Sequence, residues 1–119
     1  MHLLVGVDGS DDSLAALSAT VDRVSETGDD LTVALLLDAE AAADVDLDEL
    51  VRDALGDVNA TRERVSGDPA SRLVELADGG PYDRLVVGGG SRSPLGKVNL
   101  DQFLEFVLLN ATTTLTLVR

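Results

Sequence analysis

Residues 84–97 read RLVVGGGSRSPLGK, an apolar run that opens into three consecutive glycines. Glycine has no Cβ and adopts positive φ at little cost, so a glycine run lets backbone N–H groups approach an anion closely. Lys97, the only lysine of the chain, lies in the same segment. The segment therefore predicts a strand followed by an incomplete phosphate-binding loop.

The rest of the chain alternates between strand and helix patterns. Strands are predicted at residues 3–7, 31–37, 58–65, 84–87 and 112–118. Helices are predicted after Ser10, from about Leu47, from Asp68 and over residues 101–110. This βαβαβαβαβ order predicts a single α/β domain over residues 1–119, with a parallel sheet, right-handed crossovers and helices on both faces.

Local signals support these elements. Ser10 and Asp68 are typical N-cap residues, and Pro69 suits the first position of a helix. The continuously apolar stretch 31–37 is typical of a strand buried on both faces, whereas the mixed polarity of 58–65 indicates a sheet edge.

The last helix carries an apolar stripe at helical spacing, formed by Phe103, Phe106 and Val107. Such a stripe is more often core packing than part of a ligand site, so we expect all three side chains to be buried.

The chain has 22 acidic residues against nine basic ones, a formal net charge of −13. Charge of this sign repels a phosphate backbone, so we expect no nucleic-acid partner. Aspartate excess with arginine in place of lysine resembles proteins of salt-loving archaea, where high salt screens self-repulsion. This is a hypothesis about the source, and an ordinary acidic domain is the alternative.

The composition excludes several kinds of chemistry. The absence of cysteine rules out disulfides, thiolate metal sites and cysteine nucleophiles, and the single histidine, His2, argues against most histidine-dependent catalysis. No apolar run approaches the roughly 18 residues of a spanning helix, and no basic region precedes the first apolar stretch. We expect a soluble, cytoplasmic protein with no membrane partner and no catalytic residue.

Four segments together resemble the universal stress protein family: residues 5–10 (VGVDGS), 67–70 (GDPA), 82–88 (YDRLVVG) and 110–119 (NATTTLTLVR). The resemblance runs over nearly the whole chain. It implies a three-layer α/β sandwich of the adenine nucleotide alpha hydrolase-like type, with a five-stranded parallel sheet in the order 3-2-1-4-5. It also implies a homodimer formed through the strand Thr112 to Val118.

The resemblance further implies a nucleotide site, with ATP or AMP and magnesium as cofactors. The matching positions in this sequence are Val7, Asp8, Gly9, Leu36, Gly88, Gly89, Gly90, Ser91, Arg92, Lys97, Asp101 and Gln102. In that arrangement Asp8 holds the metal, Gly88 to Ser91 meet the phosphates and Leu36 touches the base. A purely structural role stays open for Asp8 and for the glycines. Asp8 is also an ordinary residue for capping a helix, and the glycines also suit a tight exit from a buried strand.

The family's ATP motif is only partly present. It consists of Gly, two residues, Gly, nine residues, then Gly followed by Ser or Thr; counted from Gly88, the later positions fall on Ser91, Asp101 and Gln102. Asp101 matters most, because helix N-termini favour anions and its own carboxylate suits that place. A carboxylate roughly 4 Å from a phosphate costs about 4 kcal/mol at an effective dielectric near 20. Lys97 or magnesium would offset part of this cost.

Three functional hypotheses follow. The first is a small stress-response or regulatory protein, non-enzymatic, with weak or no ATP binding. The second is an ATP- or AMP-binding protein with slow or no hydrolysis. The third is a dimeric interaction module without a ligand, since a fold alone does not define a function.

Overall fold

A computed structural model describes residues 1–37, 45–89 and 102–118. Its elements are β1 (His2–Val7), α1 (Asp11–Thr27), β2 (Asp30–Leu37), α2 (Val45–Leu55), β3 (Thr61–Ser66), α3 (Pro69–Gly79), β4 (Arg84–Gly88), α4 (Gln102–Asn110) and β5 (Thr114–Val118). The alternation of strand and helix is the one that the sequence predicts.

The five strands form one sheet in the order β3-β2-β1-β4-β5. All four neighbouring pairs are parallel. The predicted fold class and the strand order 3-2-1-4-5 are therefore confirmed. β1 lies at the centre, and β3 and β5 are the two edges, so the edge position expected for the third strand is also confirmed.

Alternating strand residues fill two separate cores, one on each face of the sheet. Leu3 and Val7 of β1 pack with residues of α1 and α2. Leu4 packs on the opposite face with Leu73 of α3 and Val107 of α4. Burying a leucine or valine side chain contributes about 1.5–3 kcal/mol, which is why the central strands are apolar at consecutive positions.

Helix ends follow from local hydrogen bonds. The Ser10 hydroxyl accepts the Ser13 N–H at 3.2 Å and starts α1, and Gly28 ends it with a left-handed φ of +74°. The Asp68 carboxylate accepts the Ser71 N–H at 3.1 Å and starts α3. The predicted N-caps are thus confirmed in their roles.

The third strand begins later than predicted. It starts at Thr61 rather than at Val58 and ends at Ser66. The Val58 N–H donates to the Leu55 carbonyl at 3.0 Å, so Val58 belongs to the turn that ends α2. Its apolar side chain packs against the core from that turn, which explains why it resembled the start of a strand.

The last strand begins at Thr114, two residues after the predicted start. The Asp78 carboxylate accepts the backbone N–H groups of Thr112 and Thr113, each at 3.1 Å. It also accepts the Thr113 hydroxyl at 2.7 Å. These bonds hold the segment before β5 against the end of α3, so it does not extend the strand.

The apolar stripe of α4 differs in part from expectation. Val107 is fully buried, and Phe103 packs against the core from a partly buried position. Phe106, however, is 38% exposed, so its expected burial is wrong. Leu104 is buried instead, because the contacting side of the helix runs through positions 103, 104 and 107.

Neither α4 nor any other helix in the described ranges combines the length and apolarity needed to cross a membrane.

Replacing Asp78 with asparagine is expected to lower stability and to flatten its acid dependence. The hydrogen bond from Thr113, with further bonds from Thr112, holds the pKa of Asp78 below its ordinary value. The resulting stabilisation is complete above the unfolded aspartate pKa of about 3.9 and is lost as pH falls through the lowered folded value. Because the carboxylate is exposed and screened, we expect a loss of about 1 kcal/mol at neutral pH.

Urea unfolding across acidic and neutral pH measures this effect. Asp53→Asn is the matched control, because Asp53 is exposed and makes no hydrogen bond within the described ranges. Identical pH profiles for Asp78→Asn and the unmodified protein would contradict the assigned role.

Candidate functional site

The carboxyl ends of β1 and β4 meet at the centre of the sheet. Val5 lies opposite Val86 in this parallel pair, and the same register carries Val7 alongside Gly88. The turn that begins at Asp8 and the start of the glycine loop are therefore neighbours. Parallel α/β sheets bind ligands at this edge.

Asp8 is held in a hydrogen-bonded turn at the end of β1. Its carboxylate accepts the Ser10 N–H at 2.9 Å, and its own N–H donates to the Ser13 hydroxyl at 3.3 Å. Desolvation by surrounding protein raises the pKa of Asp8, but hydrogen bonds from Ser10 and Ser13 outweigh it and hold the pKa below its ordinary value. Gly9 makes the turn possible with a φ of +91°. Asp8 is thus an ionised, partly exposed carboxylate with one oxygen already bonded.

Gly88 packs directly against the start of α1. A Cβ built at this position would lie 2.0 Å from the Asp12 carbonyl oxygen and 3.0 Å from the Ser13 nitrogen. Real Cβ atoms do not approach backbone atoms this closely. The space beside Gly88 is filled by the helix, so this glycine is needed for helix-to-strand packing.

Gly89 also has a packing role. It adopts a φ of +140°, and a Cβ there would lie 2.5 Å from a methyl carbon of Leu104. Its N–H donates to the Val118 carbonyl of β5 at 3.1 Å. This amide is therefore bonded to the neighbouring strand. Both described glycines thus have roles in packing.

The other described candidates divide into buried and exposed positions. Val7 is fully buried on the α1 side, and Leu36 is 5% exposed and packs on the α3 side. Gln102 is exposed at the first position of α4. Of these, Gln102 alone presents its side chain to solvent.

Five of the predicted positions lie outside the described residues: Gly90, Ser91, Arg92, Lys97 and Asp101. The sequence missed the residues that face Gly88, namely Asp12 and Ser13. A helix start distant in sequence gives no local signal of this contact. The sequence carries one indirect signal of the contact: α1 starts immediately after β1, which brings the helix close to the central strands.

Negative charge gathers at the described part of the site. Asp11 and Asp12 occupy the first turn of α1, beside the Asp8 turn. Within the described ranges no group of three or more potential ligands is placed to hold a metal ion. The magnesium role of Asp8 therefore stays a prediction, resting on a single exposed carboxylate.

The fold and this edge define a class of nucleotide-binding-like α/β domains, in which the central strand ends in an aspartate turn beside a glycine exit. The chain belongs to the universal stress protein family, whose profile matches residues 1–119. The resemblance stated from the sequence is confirmed. The chain matches none of the curated proteins.

Solved structures of universal stress proteins share this fold over the whole chain. One crystallised in complex with cAMP is 27% identical, has a TM-score of 0.72, and is matched over 100% of this chain and 96% of that one. UspA from Lactobacillus plantarum is 23% identical, with a TM-score of 0.73 and coverage of 100% and 97%. A protein from Archaeoglobus fulgidus in complex with dAMP is 14% identical, with a TM-score of 0.66 and coverage of 100% and 98%.

A Gly88→Ala variant is expected to be strongly destabilised. The added methyl group meets the Asp12 carbonyl, so α1 must shift, and such overpacking costs about 3 kcal/mol. Gly79→Ala is the matched control, because a Cβ at Gly79 meets nothing within 4 Å. Denaturant unfolding compares the two. Equal stabilities would show that Gly88 is not required for packing.

Proposed function

We propose that this chain is a non-enzymatic universal stress-type protein that binds ATP weakly or not at all. One observation carries the proposal: the space beside Gly88 is filled by the Asp12 backbone, at a distance that excludes even a methyl group. A phosphate loop needs backbone amides that are free to meet an anion, whereas this part of the backbone is held by packing against α1. Gly89 supports the same conclusion, since its N–H is bonded to β5.

Electrostatics support weak binding as well. The lowered pKa of Asp8 keeps its carboxylate charged at neutral pH, and Asp11 and Asp12 add two acidic side chains to the next turn. A triphosphate approaching this edge meets several like charges in a chain of net charge −13. In the sequence, Asp101 puts a further carboxylate at the closing position of the family's motif.

The alternative function is binding of a nucleotide without hydrolysis. It is favoured by the universal stress protein that was crystallised with cAMP, since that protein is 27% identical to this chain over its full length. In this alternative a monophosphate or cyclic phosphate, with less charge than ATP, occupies the edge beside Asp8.

Calorimetric titration with Mg-ATP, AMP and cAMP in molar KCl separates the two functions. The salt screens the acidic surface and matches the salt-loving source that the composition suggests. We expect no ATP binding at micromolar concentrations, because both described glycines are committed to packing. A micromolar dissociation constant for ATP would overturn the proposal, and binding of cAMP alone would favour the alternative.

Two variants refine this test. Asp101→Gly with Gln102→Ser restores the closing Gly-Ser pair and removes one carboxylate, so ATP affinity is expected to rise, by up to about a thousandfold. Asp8→Asn removes the predicted metal ligand and serves as the comparison. If the double variant gains no affinity, the effect assigned to Asp101 is wrong.

We also propose a homodimer that forms through the open edge of β5. The strand TLTLV carries no charged residue and is half-buried along four of its five positions. Next to it, α4 exposes apolar side chains, with Phe106 and Leu108 each 38% and Leu109 84% exposed. An uncharged edge beside an apolar helix surface fits a second copy of the same chain.

Leu117→Pro tests this dimer without breaking the sheet. The Val118 carbonyl faces β4, because it accepts the Gly89 N–H. The backbone N–H and C=O groups of successive strand residues point to opposite sides, so the Leu117 N–H faces the open edge. Proline removes that donor, and edge strands tolerate it. Light scattering should give a dimer mass for the unmodified protein and a single-chain mass for the variant.

Leu117→Ala is the matched control, since it removes the side chain and keeps the N–H. It is expected to remain a dimer. A single-chain mass for the unmodified protein at working salt would contradict the proposal, as would a variant Leu117→Pro that dimerises normally.

A further inference from the structure

A cavity lies between α1 and the β4–β5 edge of the sheet. It has a volume of about 160 Å³ and is lined mainly by apolar atoms, including those of Leu3, Val86 and Val118. Two arginines, Arg23 of α1 and Arg84 of β4, also line it. Arg84 is the first residue of its strand and Gly88 the last, so the arginine lies roughly 13 Å from the glycine exit by strand rise.

Arg84 is unusual because its guanidinium is incompletely satisfied. Its Nη1 donates to the Thr116 hydroxyl across a long 3.3 Å. Its Nε is buried and has no hydrogen-bond partner. Leaving a buried charged donor unbonded is costly, so the side chain gains by turning its edge towards any acceptor in the cavity.

The charge around the cavity is unexpected for this protein. The chain has 22 acidic residues, yet no ion pair joins Arg23 or Arg84 to an acid among the described residues. Arg23 is exposed and contributes a long-range attraction to Asp29. The Asp29 carboxylate itself bonds the N-terminal ammonium and the Thr27 hydroxyl. Positive charge at the cavity is therefore not neutralised locally.

We propose that this cavity binds a small monocarboxylate with a short alkyl chain. Nη1 is bonded to Thr116 and Nε is buried; in the proposed complex the guanidinium turns so that Nε–H and Nη2–H face the cavity in parallel, the pattern that matches a carboxylate in a bidentate way. Arg23 adds a second positive charge at the end of the cavity that holds the carboxylate. The alkyl chain lies along Val86 and Val118, towards the carboxyl end of β5.

Size and polarity favour this ligand over a phosphate. The volume of about 160 Å³ lies below the roughly 300–1,000 Å³ of sites for larger ligands, so a short-chain acid fits it better. An apolar lining offers no hydrogen bonds to the several oxygens of a phosphate. It stabilises a bound alkyl chain, because the chain is removed from water. The site is independent of the nucleotide edge and of the function proposed there.

Titration with butyrate tests the proposal, followed by calorimetry or by NMR shifts of residues 19–23 and 84–86. In molar KCl, chloride competes for any simple anion site, so butyrate binding requires both charge and alkyl contacts. We expect butyrate to bind at millimolar concentration or tighter, and n-butanol and n-butylammonium to bind at least about tenfold more weakly, since each loses the charge-assisted pair.

Four variants assign the binding to the cavity. Arg84→Gln and Arg84→Lys are each expected to weaken butyrate binding about tenfold, because neither keeps the fork of the guanidinium. Thr116→Val tests the same geometry without altering charge and should weaken binding less. Arg62→Gln, an exposed arginine on β3, should leave butyrate binding unchanged, and circular dichroism verifies that each variant is folded.

The proposal is overturned if butyrate does not bind, if butanol binds equally well, or if the Arg84 variants bind butyrate as the unmodified protein does. A different result would place the cavity in the contact between two copies of the chain: the unmodified protein binds no butyrate, and Arg84→Gln has a single-chain mass instead of a dimer mass.

Discussion

The close contact between Gly88 and the first turn of α1 determines how the central part of the molecule is arranged. The backbone of Asp12 lies where any side chain at position 88 would be. This contact sets the distance of α1 from β4 and brings the Ser10 cap beside the end of β1. The Asp8 turn depends on the same helix, because Ser13 accepts its N–H. The geometry of the whole carboxyl edge thus follows from one missing Cβ.

That constraint supports the proposed weak binding of ATP. Close packing against a helix backbone and close approach to a ligand both require glycine, and at position 88 the structure shows the packing. The family's fold is retained in full, with the sheet order and two cores intact. In the proposed function the architecture is retained without an ATP site, and packing alone requires glycine at position 88.

The sequence predicted those features that depend on local chemistry. Helix starts at Ser10 and Asp68 were predictable, because a capping side chain bonds its own first turn. The start of β5 was not, since the Asp78 carboxylate that holds Thr112 and Thr113 is more than 30 residues away. The exposure of Phe106 was missed because α4 is apolar on most of its surface, so its periodicity does not mark a solvent side. At the candidate site the sequence predicted the strand that leads into the glycines, but the partner of Gly88 comes from tertiary packing.

The two edges of the sheet are chemically unlike. β3 reads TRERVS and is exposed at five of its six positions, so charged side chains line its outer strand and discourage a neighbour. β5 reads TLTLV and carries none. When one edge of a sheet repels a neighbouring strand and the other edge accepts one, the sheet adds a single neighbour. That contact uses the accepting edge of each of the two chains. In the proposed dimer, growth of the sheet from chain to chain is self-limiting, because two chains related by a two-fold axis use both accepting edges.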